Sequence, residues 1–421
     1  MPAGDQQVAE KQTQSNTPFA DASKIEWCDA SWEVTAGCSK VSSGCAHCYA
    51  ETLVGTRLAG VARKRKADGT ANGSAVDVSL DVIKHVNHDG RWSAAQWNGN
   101  IELLEMNLEQ PLKRKTPTVY FVNSRSDLFH ERVPFEYIDR VFAVMALCPQ
   151  HRFLVLTKRP ERMREYLSDK KWHPDDSYTY TRDHLVEGQA QRLYEERMGE
   201  CAREWLAVHW PLPNVWLGTS AEDQATADAR VPELLACPAA GRFISAEPLL
   251  GEIDLGAYVI SSSRYHMCMD VRGAIRNKSF DGLQHPDGTA MTRRQAEDAL
   301  WKIHATGAKV IPAGSCDDFD DQVGCRGHKN PGIDWVIVGG ESGVVARPCE
   351  IGWVRRVVEQ CKRAGVPVFV KQLGKRAVIK RESATRWLEL SAGRKGERFE
   401  CFPDDLRVRE VPDDLLIGVR S

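Results

Sequence analysis

Six short apolar runs constrain what this chain can fold into more than any other feature of its sequence. They are Thr118–Asn123, Arg152–Thr157, Val215–Gly218, Gly241–Ser245, Asp334–Gly339 and Pro367–Lys371, each rich in β-branched or aromatic residues and as long as a buried strand. Between several of them the apolar period becomes helical. Ile138, Val141, Phe142 and Met145 make one buried stripe, and Ile351, Val354, Val358 and Cys361 make another that stops at Gly365. Strands alternating with helices predict βαβ units, hence an α/β fold built as a partial or distorted parallel (β/α) barrel.

The ends of the runs narrow the prediction. They read Asn123-Ser124-Arg125-Ser126-Asp127, Thr157-Lys158-Arg159, Thr219-Ser220, Ser245-Ala246-Glu247, Gly339-Gly340-Glu341-Ser342 and Lys371-Gln372. In a parallel barrel such ends converge on one face, where active sites are built. A strand emerging into solvent also turns polar, but six doing so together point to a shared site.

Three stretches exceed a minimal barrel: 59–100, 168–213 and 257–332, the second of them mainly charged and helical in pattern. Loops of that size without structure are unusual in a compact domain, so each is expected to be an insertion. Residues 24–375 then form the barrel, 1–23 a polar tail without the apolar core of a secretory signal, and 376–421 a C-terminal extension packed over the barrel. With 42% hydrophobic and 27% charged residues the chain has the composition of a folded protein. Lysine plus arginine (56) nearly balances aspartate plus glutamate (58), so any attraction to nucleic acid must be local. No apolar run approaches the roughly 18–20 residues of a membrane span. A cytoplasmic location without membrane contact is expected.

Among 13 cysteines one group is tight: Cys38, Cys45 and Cys48, spaced CxxxxxxCxxC between Gly37 and Tyr49. Thiolates at this spacing suit a soft metal centre, either zinc or an iron-sulfur cluster. Three cysteines on a four-iron cluster leave one iron open to a substrate or cofactor. A zinc site would take His47 or a distant residue as fourth ligand. The loop follows a strand-like segment, Trp32 to Thr35, and precedes a helix near Tyr49, which places it on the catalytic face.

The stretches Ile25–Trp32, Thr35–Cys38 and Gly44–Glu51 resemble the opening of a phage and prophage family of unknown function. Further matching blocks are Asn123–Phe129, Leu156–Pro160, Val215–Ser220, Ile244–Leu249, Val338–Gly343 and Lys371–Gly374. That family is similar to the radical S-adenosylmethionine (radical SAM) enzymes. The resemblance implies a barrel of that type, a [4Fe-4S] cluster on Cys38, Cys45 and Cys48, chelation of S-adenosylmethionine by the open iron, and an external electron donor. It also implies reductive cleavage to a 5'-deoxyadenosyl radical that abstracts hydrogen from a substrate. The spacing here has three residues more between the first two cysteines than the CxxxCxxC commonest in those enzymes.

Candidate cofactor contacts are Asn123, Ser124, Asp127, Lys158, Ser245, Gly339, Gly340, Glu341 and Ser342. Gly339 and Gly340 permit close backbone approach, and Gly340-Glu341 resembles the element that holds the cofactor amine in radical enzymes. Asp127 is alternatively a helix cap. Lys158, Arg159, Glu247 and Lys371 are charges directly after buried strands. They are either ion-paired in the mouth or bind a substrate anion, with Glu247 or Lys371 moving a proton. Arg63, Lys64, Arg65 and Lys66 are either a solvated helix face or a contact for nucleic acid. Cys316, Cys325 and His328 supply most of a second zinc or cluster site in the longest insertion. Two rival readings follow: a zinc-stabilised module that binds nucleic acid or a partner without catalysis, and a barrel hydrolase or transferase using Glu247 and Lys371.

Overall fold

The computed structural model describes residues 25–72, 74, 76–88, 91–172, 179–198, 208–259, 319–320, 324–325, 332–381, 384–387 and 396–416. Seven strands form one all-parallel sheet: β1 (Ala30–Trp32), β2 (Val119–Val122), β3 (Arg152–Thr157), β4 (Val215–Ser220), β5 (Gly241–Ala246), β6 (Trp335–Gly339) and β7 (Val368–Gln372). All six apolar runs are in it. Their spatial order is their chain order, the winding of a barrel and not of a doubly wound sheet. The sheet curls into a half-barrel.

The helices grow from local signals. α1 (Tyr49–Leu53) passes through a π-helical turn, Val54–Leu58, into α2 (Ala59–Ala67). α3 (Phe135–Ala146) buries Ile138, Val141, Phe142 and Met145, the whole predicted stripe. α4 (Pro160–Ser168) starts on a proline, whose fixed φ and missing N–H suit a first turn. α5 (Arg182–Met198) lies in the second insertion, anchored by fully buried Arg182, which donates to both carboxylate oxygens of Asp139 at 3.0 Å. α6 (Gln224–Leu235) carries a capping box between Asp223 and Thr226. α7 (Ile351–Ala364) ends at Gly365, which takes the left-handed φ of +67° as the C-terminal cap.

The strands bury both faces. Residues facing the helices, among them Val155, Leu217, Ile244, Val338 and Val370, join the stripes of α3 and α7 in the main core. The other, concave face is lined by Phe121, Leu154, Trp216, Phe243, Trp335 and Phe369, with Trp27 packed among them at 4.5 Å from Phe121. Where β7 would meet an eighth strand, a C-terminal segment pairs antiparallel: Val370 N donates to Val408 O (2.8 Å) and Glu410 N to Val368 O (3.0 Å). Leu415 and Val411 then cover the aromatic layer.

The first insertion contributes a hairpin, Ile83–His88 with Arg91–Trp97, that packs Ile83, Ala95 and Trp97 against Ala50 and Val54 beside the cysteine loop. In the third insertion Cys316 and His328 lie outside the described residues. Of Cys325 only the backbone is described, in a two-residue strand. No helix among the described residues is long and apolar enough to cross a membrane.

Candidate functional site

The cysteine loop runs from Gly37 to Cys48 across the C-terminal ends of the strands. The strand before it is not the continuous segment expected from Trp32 to Thr35. β1 ends at Trp32, and Thr35–Ala36 turns away to pair antiparallel with Glu102–Leu103. Asn123 makes that turn. It holds the left-handed φ of +58°, which asparagine tolerates, and its Oδ1 accepts from Val34 N (2.9 Å) and Thr35 N (3.2 Å). Ser124 hydrogen-bonds Glu33 and accepts from the Tyr49 hydroxyl through its carbonyl.

The loop is fastened to three different strand ends. After Cys38, the hydroxyl of Ser39 takes a bond from Arg159 Nη2 (2.8 Å) and lies 2.9 Å from His130 Nε2. Arg159 is buried at the end of β3 and also donates to Asp127 (2.9 Å) and Glu131 (2.9 Å). Asp127 caps no helix. It accepts from Thr157 Oγ1 (2.7 Å), Lys158 N (3.3 Å) and Phe129 N (3.0 Å), tying the ends of β2 and β3 together. Before Cys45, Ser42 Oγ donates to Glu222 Oε1 (2.9 Å), and Ser43 O accepts from Arg347 Nη1 (2.9 Å). Before Cys48, His47 Nδ1 lies 3.1 Å from Glu341 Oε2.

Two of these anchors are buried carboxylates in ion-paired settings. Glu222, beyond β4, has no exposed side-chain surface and pairs with Lys158 and with Arg230 (2.9 Å). Burial alone would raise its pKa, but Lys158 and Arg230 outweigh it and hold the carboxyl below its ordinary value. Glu341 accepts from Arg347 Nε (2.9 Å), Nη2 (2.6 Å) and backbone N (2.7 Å), and it too titrates low despite burial. A register shift at Val338/Gly339 re-aims this end of β6. The glycines there serve internal packing: a Cβ on Gly339 would come within 2.5 Å of the Glu247 carboxylate, and one on Gly340 within 2.5 Å of Leu373 O.

Glu247 and Lys371, from the ends of β5 and β7, meet with Nζ 3.2 Å from the carboxylate. Burial works against the lysine's charge, yet Glu247 and then Glu26 raise its pKa above the usual lysine value. Ser245 is buried beside them, and Ser342 stands half-exposed on the loop after Glu341.

Cys38, Cys45 and Cys48 are all free thiols and half-exposed. Burial, with Asp127 adding to it, pushes Cys38 up to about 12. Burial raises Cys48 as well, against the N–H groups of Glu51 and Ala50 at the start of α1. Arg159, the cation beside Cys38, works against the shift there without cancelling it. Among the described residues no three His, Cys, Asp or Glu side chains form a ready-made metal-binding group. By donor chemistry alone, three thiols on one loop are a set that suits a soft metal.

Of the basic run, Arg63, Lys64 and Lys66 are exposed on α2, whereas Arg65 is committed to the following turn through Asn72 (2.8 Å), Ser74 (3.2 Å) and Asp77 (3.3 Å). The strand-end pattern missed Glu222, two residues past Ser220, together with Arg347 and His130. Nothing local in the sequence marks their contact with the cysteine loop, because Ser42, Ser43 and Ser39 lie 180, 304 and 91 residues from Glu222, Arg347 and His130.

No curated protein and no solved structure matches the chain. The family model described as "Protein of unknown function (DUF5131)" matches residues 22–401, most of the chain, and the protein belongs to that family.

Proposed function

We propose that the protein is a radical SAM-like iron-sulfur enzyme in which Cys38, Cys45 and Cys48 hold a four-iron cluster. One observation carries this reading: three free thiols share the loop that leaves the first strand of a parallel half-barrel, over the C-terminal ends of the other strands. When bound, such a cluster supplies one electron to S-adenosylmethionine, whose cleavage gives methionine and a 5'-deoxyadenosyl radical.

The chain's own residues do the rest. Asn123 and Asp127 hold the ends of β1, β2 and β3 in register, so their part is to shape the mouth. Glu341 would be the carboxylate that holds the cofactor's amino group, and Arg347, paired with it here, would orient it. The Glu247–Lys371 pair, on the concave side of the mouth, holds or moves a proton at the substrate. Aromatic residues beneath it, Phe243, Trp335 and Phe369, exclude water from below. The substrate is a nucleic acid, guided by the exposed cations of α2, which continues from the cysteine loop through α1.

The test is Cys48→Ala in anaerobically reconstituted protein. The visible iron-sulfur absorbance should be lost while the folded core is retained; an unchanged spectrum rejects the ligand assignment.

A further inference from the structure

The Cys38–Cys45 spacer of this chain is long, and the structure shows where its extra residues go. Ser42 and Gly44 lie against one side chain, Glu222. Ser42 Oγ donates to Glu222 Oε1 at 2.9 Å and stands 3.9 Å from Cys45 Sγ, so the hydroxyl links the thiol to the carboxylate. Cys45 N closes the same turn by donating to Ser42 O at 3.0 Å. Gly44 sits so near that a Cβ there would meet Glu222 Oε1 at 2.3 Å and Cγ at 2.5 Å. Glu222 is itself held on all sides: its side chain is fully buried between Lys158 and Arg230, its N–H donates to Thr226 Oγ1 (2.9 Å), and its carbonyl accepts from Leu250 N (2.8 Å).

We propose that Glu222 is the positioning residue of the cysteine loop, seating Ser42–Cys45 on the end of β4 and fixing Cys45 through the Ser42 hydroxyl whether or not a metal is bound. Lys158 and Arg230 bring two positive charges to one carboxylate. Glu222 thus stays ionised, and an ionised acceptor makes the stronger hydrogen bond to Ser42. Its value to the enzyme rests on the cluster reading above, but the anchoring itself does not.

Substituting Glu222 would unpair buried Arg230 and half-buried Lys158 and report on folding as much as on the loop. Ser42→Ala removes only the bond that reaches the loop. In the metal-free full-length protein, Ser42→Ala should speed alkylation of Cys45 by iodoacetamide several-fold, leave that of buried Cys148 unchanged, and be reversed by Ser42→Thr. Unchanged alkylation of Cys45 overturns the proposal, whatever the metal content. In reconstituted protein the same variant should lose iron to a chelator several-fold faster than the parent. If the parent takes up no iron, the cluster reading fails and the alkylation result still decides the anchor.

Discussion

At the scale of single residues, the mouth of the half-barrel is governed by paired buried charges. Lys371 shows the balance: burial lowers its pKa, Glu247 and Glu26 raise it, and the sum is upward. A raised pKa means that its contribution to stability is fully present below the ordinary lysine value and is lost as pH rises through the folded value. Glu247→Gln leaves the ammonium without a charged partner and, since both side chains keep some exposure, should cost about 1–2 kcal/mol in urea unfolding, less than a fully buried pair would. The double variant Glu247→Gln/Lys371→Met should recover much of that loss, since two matched apolar or neutral groups replace a broken pair. Equal losses in the two variants would show that the pair is not coupled. The candidate residues at strand ends were legible in the sequence because polar groups closing a buried run are conspicuous. Their partners were not: Ser42 and Glu222 are 180 residues apart, and only the winding of the sheet joins them.

At the scale of elements, the strands and the stripes of α3 and α7 were legible because each is decided by its own residues. The Ile138–Met145 stripe is buried as its period requires, and Gly365 stops α7 as a left-handed cap. What escaped were elements whose conformation depends on a partner, such as the Thr35–Ala36 turn held by Asn123 and the antiparallel pairing of segment 408–410 with β7. The cationic face of α2 belongs to this scale too. Of its four clustered cations, Arg65 serves the local turn, so Lys64 and Lys66 are the better probes of an outside partner. Binding of single-stranded DNA, followed by fluorescence anisotropy, should weaken as salt rises. Lys64→Ala/Lys66→Ala should reduce the log–log salt slope by about 1.4, as two lost phosphate contacts require. A slope identical to the parent's would leave the face a solvated helix surface.

At the scale of the whole molecule, a parallel half-barrel leaves two problems, an unclosed sheet and an open face at the C-terminal ends of its strands. The C-terminal segment answers the first by pairing with β7 and covering the aromatic layer with Val411 and Leu415. The cysteine loop answers the second, spread over the strand ends and tied to β3, β4 and β6 through Arg159, Glu222 and the Arg347–Glu341 pair. A loop built this way is suited to carry a metal group above the mouth. The most direct test is anaerobic reconstitution with iron, sulfide and zinc quantified, together with the electron paramagnetic resonance spectrum of the reduced protein before and after adding S-adenosylmethionine. The account predicts about four irons per chain, as the cluster type requires, and a spectrum that changes with the cofactor. Stoichiometric zinc without iron, or a cluster spectrum indifferent to S-adenosylmethionine, would contradict it.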